Sequence, residues 1–352
     1  MQPFGSPRAL TVMALSPLFG AAELGADPFL ERTSPKFSFY KQILGARFRF
    51  DSNSEALLDL VGAAYGGLPE HGFALTAPEI HVALRLAARG EPPRTIEPPP
   101  VRMHSGAGMV CGVMDASNYV VLAPGQGQAL VVASADMLKC PYHLRYELIE
   151  FAVFVLATRA QGLVPLHGAC VGRQGRGVLL LGESGSGKST LTLCSLLQGL
   201  ELLAEDAVFV QPRTMLATGV ANYLHVRADT LQFIEGEAVR RWITAAPLVR
   251  RRSGVQKSEA DLRLGPGALA PSPLSLACAV FVSSEAAAAP ERLLSRVSPT
   301  GLAERLAADQ SYAAGQPGWQ HFAERLTRLG VYELRRGAHP RASVDALRAL
   351  LG

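Results

Sequence analysis

The residues with the clearest chemical potential are Gly182, Glu183, Ser184, Gly185, Ser186, Gly187, Lys188 and Ser189, followed by Thr190. Their spacing satisfies GxxxxGK[ST], the pattern of a loop that cradles phosphates. A bound triphosphate presents several anionic oxygens. A loop surrounds them with backbone N–H groups only where side chains leave room, so glycines occupy the tight points. Lys188 is placed to reach the β- and γ-phosphates, and the Ser189 hydroxyl to ligate Mg²⁺. An apolar run at 178–181 precedes the loop and a periodic apolar segment follows it. Strand, glycine loop and helix therefore stand in the required order, with the positive end of the helix at the same phosphates. The expectation is a nucleoside-triphosphate site.

A second cluster turns binding into chemistry. Past Gly199, a plausible helix-terminating glycine, residues 200–210 read as one apolar strand interrupted only by Glu201 and the pair Glu205-Asp206. Two adjacent acids in a buried strand are costly unless a cation compensates. Mg²⁺ on the neighbouring loop would do so, one carboxylate serving the metal while the other accepts a proton from an attacking hydroxyl. The competing reading is a pair marking a strand end in solvent. His167, at another strand end, is either a hydrogen-bonded packing residue or a participant in this site.

Around these clusters the chain resembles the HPr serine kinase family. The resembling pieces are His167-Gly168, the glycine turn at 174–177, the loop GESGSGKS at 182–189 and the run LLAEDAVFV at 202–210. The family pattern is His-Gly, then GxxxLLxGxSGxGKS, then an apolar strand ending in Asp-Asp, and the spacing of all three pieces agrees. The resemblance implies a P-loop α/β domain of the HPr kinase/phosphoenolpyruvate carboxykinase type. It places ATP and Mg²⁺ on Lys188 and Ser189, and His167 and Asp206 at active-site positions. Catalytic candidates are therefore His167, Lys188, Glu205 and Asp206, with Ser189 and Asp206 toward the metal. Glu205 stands where the family has Asp, which leaves open which acid is the base. The glycine- and arginine-rich signature of the bifunctional enzymes is missing, since 221–229 reads ANYLHVRAD. Phosphorylase activity and HPr as substrate are accordingly not expected. The chain is more similar to the divergent HPr-kinase-related proteins of peptide-modification systems, some of which phosphorylate a serine of a ribosomally made precursor such as a lasso peptide. The family also suggests a homo-oligomer.

The elements that must position these residues fill a chain of 352 residues, long enough for two domains, with 48% hydrophobic and 18% charged residues. A net charge of +4 is too weak to argue for nucleic acid. Five scattered cysteines without CxxC spacing favour reduced thiols, and Cys194 reads as a small core residue. The N-terminal residues lack the pattern of a targeting segment, and the apolar stretch at 151–157 is too short to span a membrane. A soluble, cytoplasmic protein is expected.

Residues 1–135 read as a smaller α+β unit for substrate capture or oligomerisation, 136–162 as a connecting helix and 163–352 as the kinase-like domain. In the first unit, 47–51, 79–86, 108–114, 118–122 and 129–133 read as strands, with a helix capped by Ser54 and a proline-rich connector at 91–100. His71, His81 and His104 lack ligand spacing and read as surface or satisfied core histidines. In the second unit, 228–242 has helical periodicity and 274–283 is a central strand. Residues 299–308 and 319–329 read as helices, 331–336 as a strand, and Ser343 as the cap of a last helix. The basic run 250–257 is a polar connection, either solvated or contacting the γ-phosphate through Arg252 and Lys257. Three functions fit: a kinase acting on a serine of a peptide or protein, an ATPase or nucleotide-gated binding module, and a small-molecule kinase.

Overall fold

The computed structural model describes residues 35–73, 76–87, 97–289 and 292–352. The expectations for the N-terminal segment and for most of the proline-rich connector fall outside those residues. The chain enters as a hairpin of Phe37–Ile43 (β1) and Ala46–Ser52 (β2), turned at Leu44 and Gly45, both with positive φ. In β2, Phe48 and Phe50 are buried while Arg47 is exposed, the period-two pattern of a strand with one covered face. Helix Glu55–Tyr65 (α1) crosses over to Glu79–Ala87 (β3), which runs parallel to β2. Ser54 stands at the start of α1, but its hydroxyl makes no capping bond. Arg102–Gly106 (β4), Met109–Val113 (β5), Tyr119–Ala123 (β6) and Gln128–Ser134 (β7) form an antiparallel meander that closes on β3. The sheet order is β1-β2-β3-β7-β6-β5-β4. β1 and β4 escape sequence reading because edge strands bury little: only Ile43 is buried in β1 and nothing in β4.

The segment 141–161 is helical throughout but not uniform. Pro141–His143 (α2) and Glu150–Gln161 (α3) are α-helical, and Leu144–Ile149 between them is π-helical. Leu144, Leu148, Ile149, Ala152, Val153 and Leu156 share one buried cluster with the first sheet. This stretch therefore packs on the first sheet as well as leading into the second.

The second sheet begins with Val164–His167 (β8), Ala169–Arg173 (β9) and Arg176–Leu181 (β10), followed by helix Lys188–Leu197 (α4). The single strand expected over 200–210 is instead two: Glu201–Ala204 (β11) pairs with β9, and Ala207–Gln211 (β12) pairs with β8. The bend between them carries Glu205 and Asp206. Leu216–Gly219 (β13) completes a hairpin with β12. Tyr223–Val226 (β14), Leu248–Arg250 (β15) and Gln256–Asp261 (β16) make a separate small sheet, with helix Glu237–Thr244 (α5) inserted. The basic run thus forms the turn of the β15–β16 hairpin rather than an open connection.

Leu274–Ala286 (β17) is the central strand, parallel to β10 and buried from Ala279 to Val282. Leu294–Arg296 (β18), helices Leu302–Asp309 (α6), Ser311–Ala314 (α7) and Trp319–Leu329 (α8), strand Val331–Arg336 (β19) and helix Pro340–Leu351 (α9) follow. The last helix starts three residues before the expected cap. His339 is its N-cap, its Nδ1 accepting from the Arg341 N–H at 3.1 Å, and Pro340 needs no donor partner. Ser343 is buried inside the first turns. The architecture is mixed α/β with mixed parallel and antiparallel sheets. Among the described residues, no helix is long and apolar enough to cross a membrane.

The two units are bound by specific contacts. Phe154 of α3 packs against Phe209 of β12 with centroids 5.0 Å apart and the ring planes tilted by 57°. The Tyr223 hydroxyl donates to the Ala63 carbonyl at 3.0 Å, and Arg263 donates to the Gly66 carbonyl at 2.8 Å. His71 is a satisfied core histidine: its ring meets the Thr218 hydroxyl at 2.8 Å and the Ala270 carbonyl at 2.9 Å. His81 pairs with Asp51 at 2.8 Å, and His104 is exposed.

Burial holds the His71 imidazole below its ordinary value of 6.5, the Ala270 carbonyl opposing only in part. Its neutral form contributes stability that is complete above that value and is lost as pH falls through the lower folded one. His71→Gln keeps both hydrogen-bonding roles without titrating. The gap in denaturation midpoint between wild type and this variant should narrow as pH falls below 6.5. A gap that stays constant would mean that His71 does not resist protonation.

Candidate active site

Gly177 to Leu181 are buried, which fixes the end of β10 against β17 and delivers the chain to the glycine loop. Gly182 has φ +126°, and a Cβ there would stand 2.7 Å from the Val282 carbonyl oxygen, so only glycine fits. Gly185 and Gly187 also have positive φ, and a Cβ at either would meet nothing within 4 Å. The loop is therefore open above these two residues. Glu183 and Ser184 are exposed, while the Ser186 hydroxyl is buried without a hydrogen-bond partner. Lys188 Nζ folds back into the loop, donating to the Gly182 carbonyl and, at 3.0 Å, to that of Glu183. Burial lowers the pKa of this ammonium, opposed by Asp309, Asp206 and Glu205. The Thr190 hydroxyl is shared with that of Thr230 at 2.9 Å.

The two acids face different ways, as neighbours in extended chain do. Glu205 Oε1 accepts from the Ser189 hydroxyl at 2.5 Å. The acid beside Ser189 is thus Glu205, where the sequence reading put Asp206 toward the metal. Behind Glu205, His225 Nδ1 lies 3.4 Å from Oε2, and the other ring nitrogen lies 3.2 Å from Glu259. Arg145 donates to Glu259 and lies 3.8 Å from Glu150, which accepts from Asn222 at 2.9 Å. Burial pulls the His225 pKa down, but Glu205 and Glu259 outweigh it and raise it. The ring lies between two carboxylates that favour its protonated form.

Asp206 belongs to a second set. Its Oδ2 accepts from the Tyr146 hydroxyl at 2.7 Å and from Arg251 at 3.3 Å, and Oδ1 lies 3.4 Å from His167 Nδ1. Burial pulls its pKa up, yet Arg251, His167 and the Tyr146 hydroxyl hold it below the usual carboxylate range. Asp206 is ionised at neutral pH. His167 is fixed by its backbone, whose N–H and C=O exchange hydrogen bonds of 2.8 and 2.9 Å with the Gln310 side chain. Gln310 also donates to Asp309 at 2.7 Å.

Of the two basic candidates, one is in the site and one is not. Lys257 is partly buried near both acids; burial lowers its pKa, and Glu205 opposes. Arg252 points elsewhere, gripping Glu147 with two bonds of 2.7 Å and the carbonyls of Pro98 and Pro99. The guanidinium that reaches the site is Arg251, which also lies 5.3 Å from the Tyr146 ring centroid.

Tyr146, Arg145, His225, Glu259, Asp309 and Gln310 were not singled out from sequence. A partial signal existed for His225 and Glu259, which alternate correctly along β14 and β16 and are direct register partners. Nothing local marks Tyr146 or Gln310, which come from helices distant in sequence.

No family model and no curated protein matches the chain. Among solved structures it is similar to the HPr(Ser) kinase/phosphatase from Coxiella burnetii, at 13% identity and a TM-score of 0.24, over 53% of this chain and 87% of that one. A likeness of that size carries no functional argument.

The residues fit a nucleotide with its metal. The open glycines, the orphaned Ser186 hydroxyl and the inward Lys188 form a cradle for phosphate oxygens. Among the described residues, no cluster of three or more His, Cys, Asp or Glu is arranged to hold a metal by itself. One hydroxyl and one carboxylate beside a phosphate loop match Mg²⁺, which takes few protein ligands and keeps water and phosphate oxygens.

The bend that carries both acids is packed tightly from below. A Cβ on Gly219 would stand 2.4 Å from Ala204 Cβ and 2.9 Å from the Leu203 carbonyl oxygen. Gly219→Ala should destabilise the fold by about 2 kcal/mol, as overpacking does, measured by denaturant titration. A cost under about 0.5 kcal/mol would show that the bend yields easily.

Proposed function

We propose that the chain is an ATP-dependent phosphotransferase that moves the γ-phosphoryl group of Mg-ATP to a serine hydroxyl of a peptide or protein. The observation that carries the proposal is the division of the acid pair: Glu205 on the Ser189 hydroxyl, Asp206 turned toward Arg251 and His167. A protein that only binds nucleotide needs the first arrangement. The second is suited to receiving a proton beside cations that neutralise phosphoryl charge.

In this reading Ser189 and Glu205 would hold Mg²⁺, which would supply charge neutralisation for the transferring phosphoryl group. Lys188 leaves the Gly182 and Glu183 carbonyls for the phosphates, and the loop N–H groups donate to the phosphate oxygens from the other side. Lys257 and Arg251 supply further positive charge at the γ-phosphoryl position. Asp206, ionised at rest, orients the acceptor hydroxyl and takes its proton as the new P–O bond forms and the bond to the β-phosphate oxygen breaks. A carboxylate of low basicity does this late, when bonding to phosphorus has already drawn electron density from the acceptor oxygen and made its proton acidic. The serine acceptor rests on the sequence resemblance around His167, the glycine loop and the acid pair.

The test is mass spectrometry and γ-labelled ATP with the serine-containing peptides encoded beside the gene. Gain of one phosphate on a serine supports the proposal. Label on a metabolite, or only as free phosphate, would replace it with a small-molecule kinase or an ATPase. In the wild-type assay that works, Lys188→Ala should abolish turnover. Asp206→Asn should cut kcat by about 10²–10⁴ with little change in Mg-ATP affinity. Glu205→Gln should raise the Mg²⁺ needed for half-maximal rate by at least about tenfold. If the two acid variants exchange these signatures, the assignment of roles is reversed.

A further inference from the structure

The π-helical turn Leu144–Ile149 is the feature that this mechanism leaves unused. Such turns are rare and cost helix stability, and they gather at functional sites because the wider turn redirects side chains. Here consecutive residues reach both halves of the candidate site. Arg145 joins the buried chain behind Glu205 by donating to Glu259, and Tyr146 donates its hydroxyl to Asp206 Oδ2 at 2.7 Å.

Tyr146 is held on every side. Tyr142 stacks on it at 5.6 Å with 13° between the planes, His225 meets it edge-on at 6.4 Å, and the Arg251 guanidinium lies 5.3 Å from its centroid. Its hydroxyl stays protonated, because burial and the Asp206 charge both push its ionisation up. It can therefore only donate to the carboxylate.

The lone pairs of Asp206 then decide the geometry of transfer. Oδ2 takes Tyr146 and Arg251, which fills its two acceptor directions. Among the described residues, Oδ1 has only His167, at 3.4 Å, on a side chain that is 58% exposed and so has room to turn. We propose that Tyr146 is a positioning residue for phosphoryl transfer, its hydroxyl clamping the Asp206 carboxylate so that Oδ1 faces the acceptor. In the step, the acceptor O–H proton passes to Oδ1, the acceptor oxygen bonds to the γ-phosphorus, and the bond to the β-phosphate oxygen breaks to release ADP. Tyr146 touches none of the reacting atoms. The inference rests on the phosphotransferase reading, and it makes the N-terminal unit part of the catalytic site.

The experiment is a double-mutant cycle on the full chain with Tyr146→Phe and Asp206→Asn, reading kcat, the KM for Mg-ATP and calorimetric Mg-ATP affinity. Tyr146→Phe alone should lower kcat about tenfold, the worth of one well-placed hydrogen bond of about 1.4 kcal/mol, with KM and affinity within about twofold. In the Asp206→Asn background it should change kcat by less than about twofold, because its effect runs through the carboxylate. Multiplying losses would overturn the proposal by showing that Tyr146 acts independently of Asp206. A kcat that is unchanged or raised in Tyr146→Phe would overturn it too, the raised value meaning that the phenol merely occupies the acceptor's seat. A second measurement needs no turnover. The clamped hydroxyl proton should give a downfield, exchange-protected nuclear magnetic resonance signal that disappears in both single variants. Its absence from the wild-type spectrum would refute the clamp even if phosphotransfer is found. A wild-type chain that shows the signal, binds Mg-ATP and labels no acceptor would refute the phosphotransferase reading, and with it the role of Tyr146 in transfer, while leaving the hydrogen bond intact.

Discussion

Two adjacent carboxylates at the bend between β11 and β12 set the terms for the rest of this molecule. Glu205 is 5% exposed and Asp206 half-buried, so both charges are largely removed from water and need partners within the protein. A continuous strand would have set them on opposite faces of the sheet. The bend keeps that divergence while letting the chain exchange one neighbour for another, β9 for β8. Each acid thereby gains its own surroundings, and the difference between those surroundings is the chemical content of the site.

On the Glu205 side the solution is a run of buried acidic and basic side chains in turn: Glu205, His225, Glu259, Arg145 and Glu150. Each link depends on its neighbour, since removing one partner of a buried pair leaves an uncompensated charge worth about 3–5 kcal/mol of destabilisation. The chain crosses from the phosphate loop through β14 and β16 to the π-helical turn. On the Asp206 side the partners are Arg251, His167 and Tyr146, drawn from a hairpin turn, a strand end and that same turn. The π-helical turn is thus where the two sets of partners meet, Arg145 reaching Glu259 and Tyr146 reaching Asp206.

How legible this was in the sequence follows from how local each signal is. The phosphate loop, its flanking strand and helix, and β17 could be read because glycine spacing and apolar runs are local patterns. The acid pair could be located but not oriented. Its bend has no glycine or proline, and the residues that part it, Ser189 and Arg251, are brought up by tertiary pairing. The basic run was legible as charge, but a hairpin turn decides which arginine faces inward: Arg251 turns to Asp206 and Arg252 to Glu147. β1 and β4 bury too little to leave a pattern. Tyr146 sits in a helix that reads as apolar and ordinary, and only the π-turn gives it its direction.

The cations of the site complete the physical picture. Lys188 and Lys257 are both held below the usual ammonium range, burial being the larger cause in each and the nearby acids opposing it. Arg251 keeps its charge and adds to the positive potential on Lys257. Positive charge packed this closely out of water is costly in the resting protein, and Lys188 offsets part of that cost by donating to the Gly182 and Glu183 carbonyls. An incoming triphosphate would give the same groups oxygens of full negative charge, so the strain of assembling them becomes binding free energy for the anion that fits. Such binding would stabilise the folded chain by an amount that grows with the logarithm of ligand concentration once the site is filled. It also explains why this cradle is built from buried cations and bare glycines rather than from surface lysines, which water would screen.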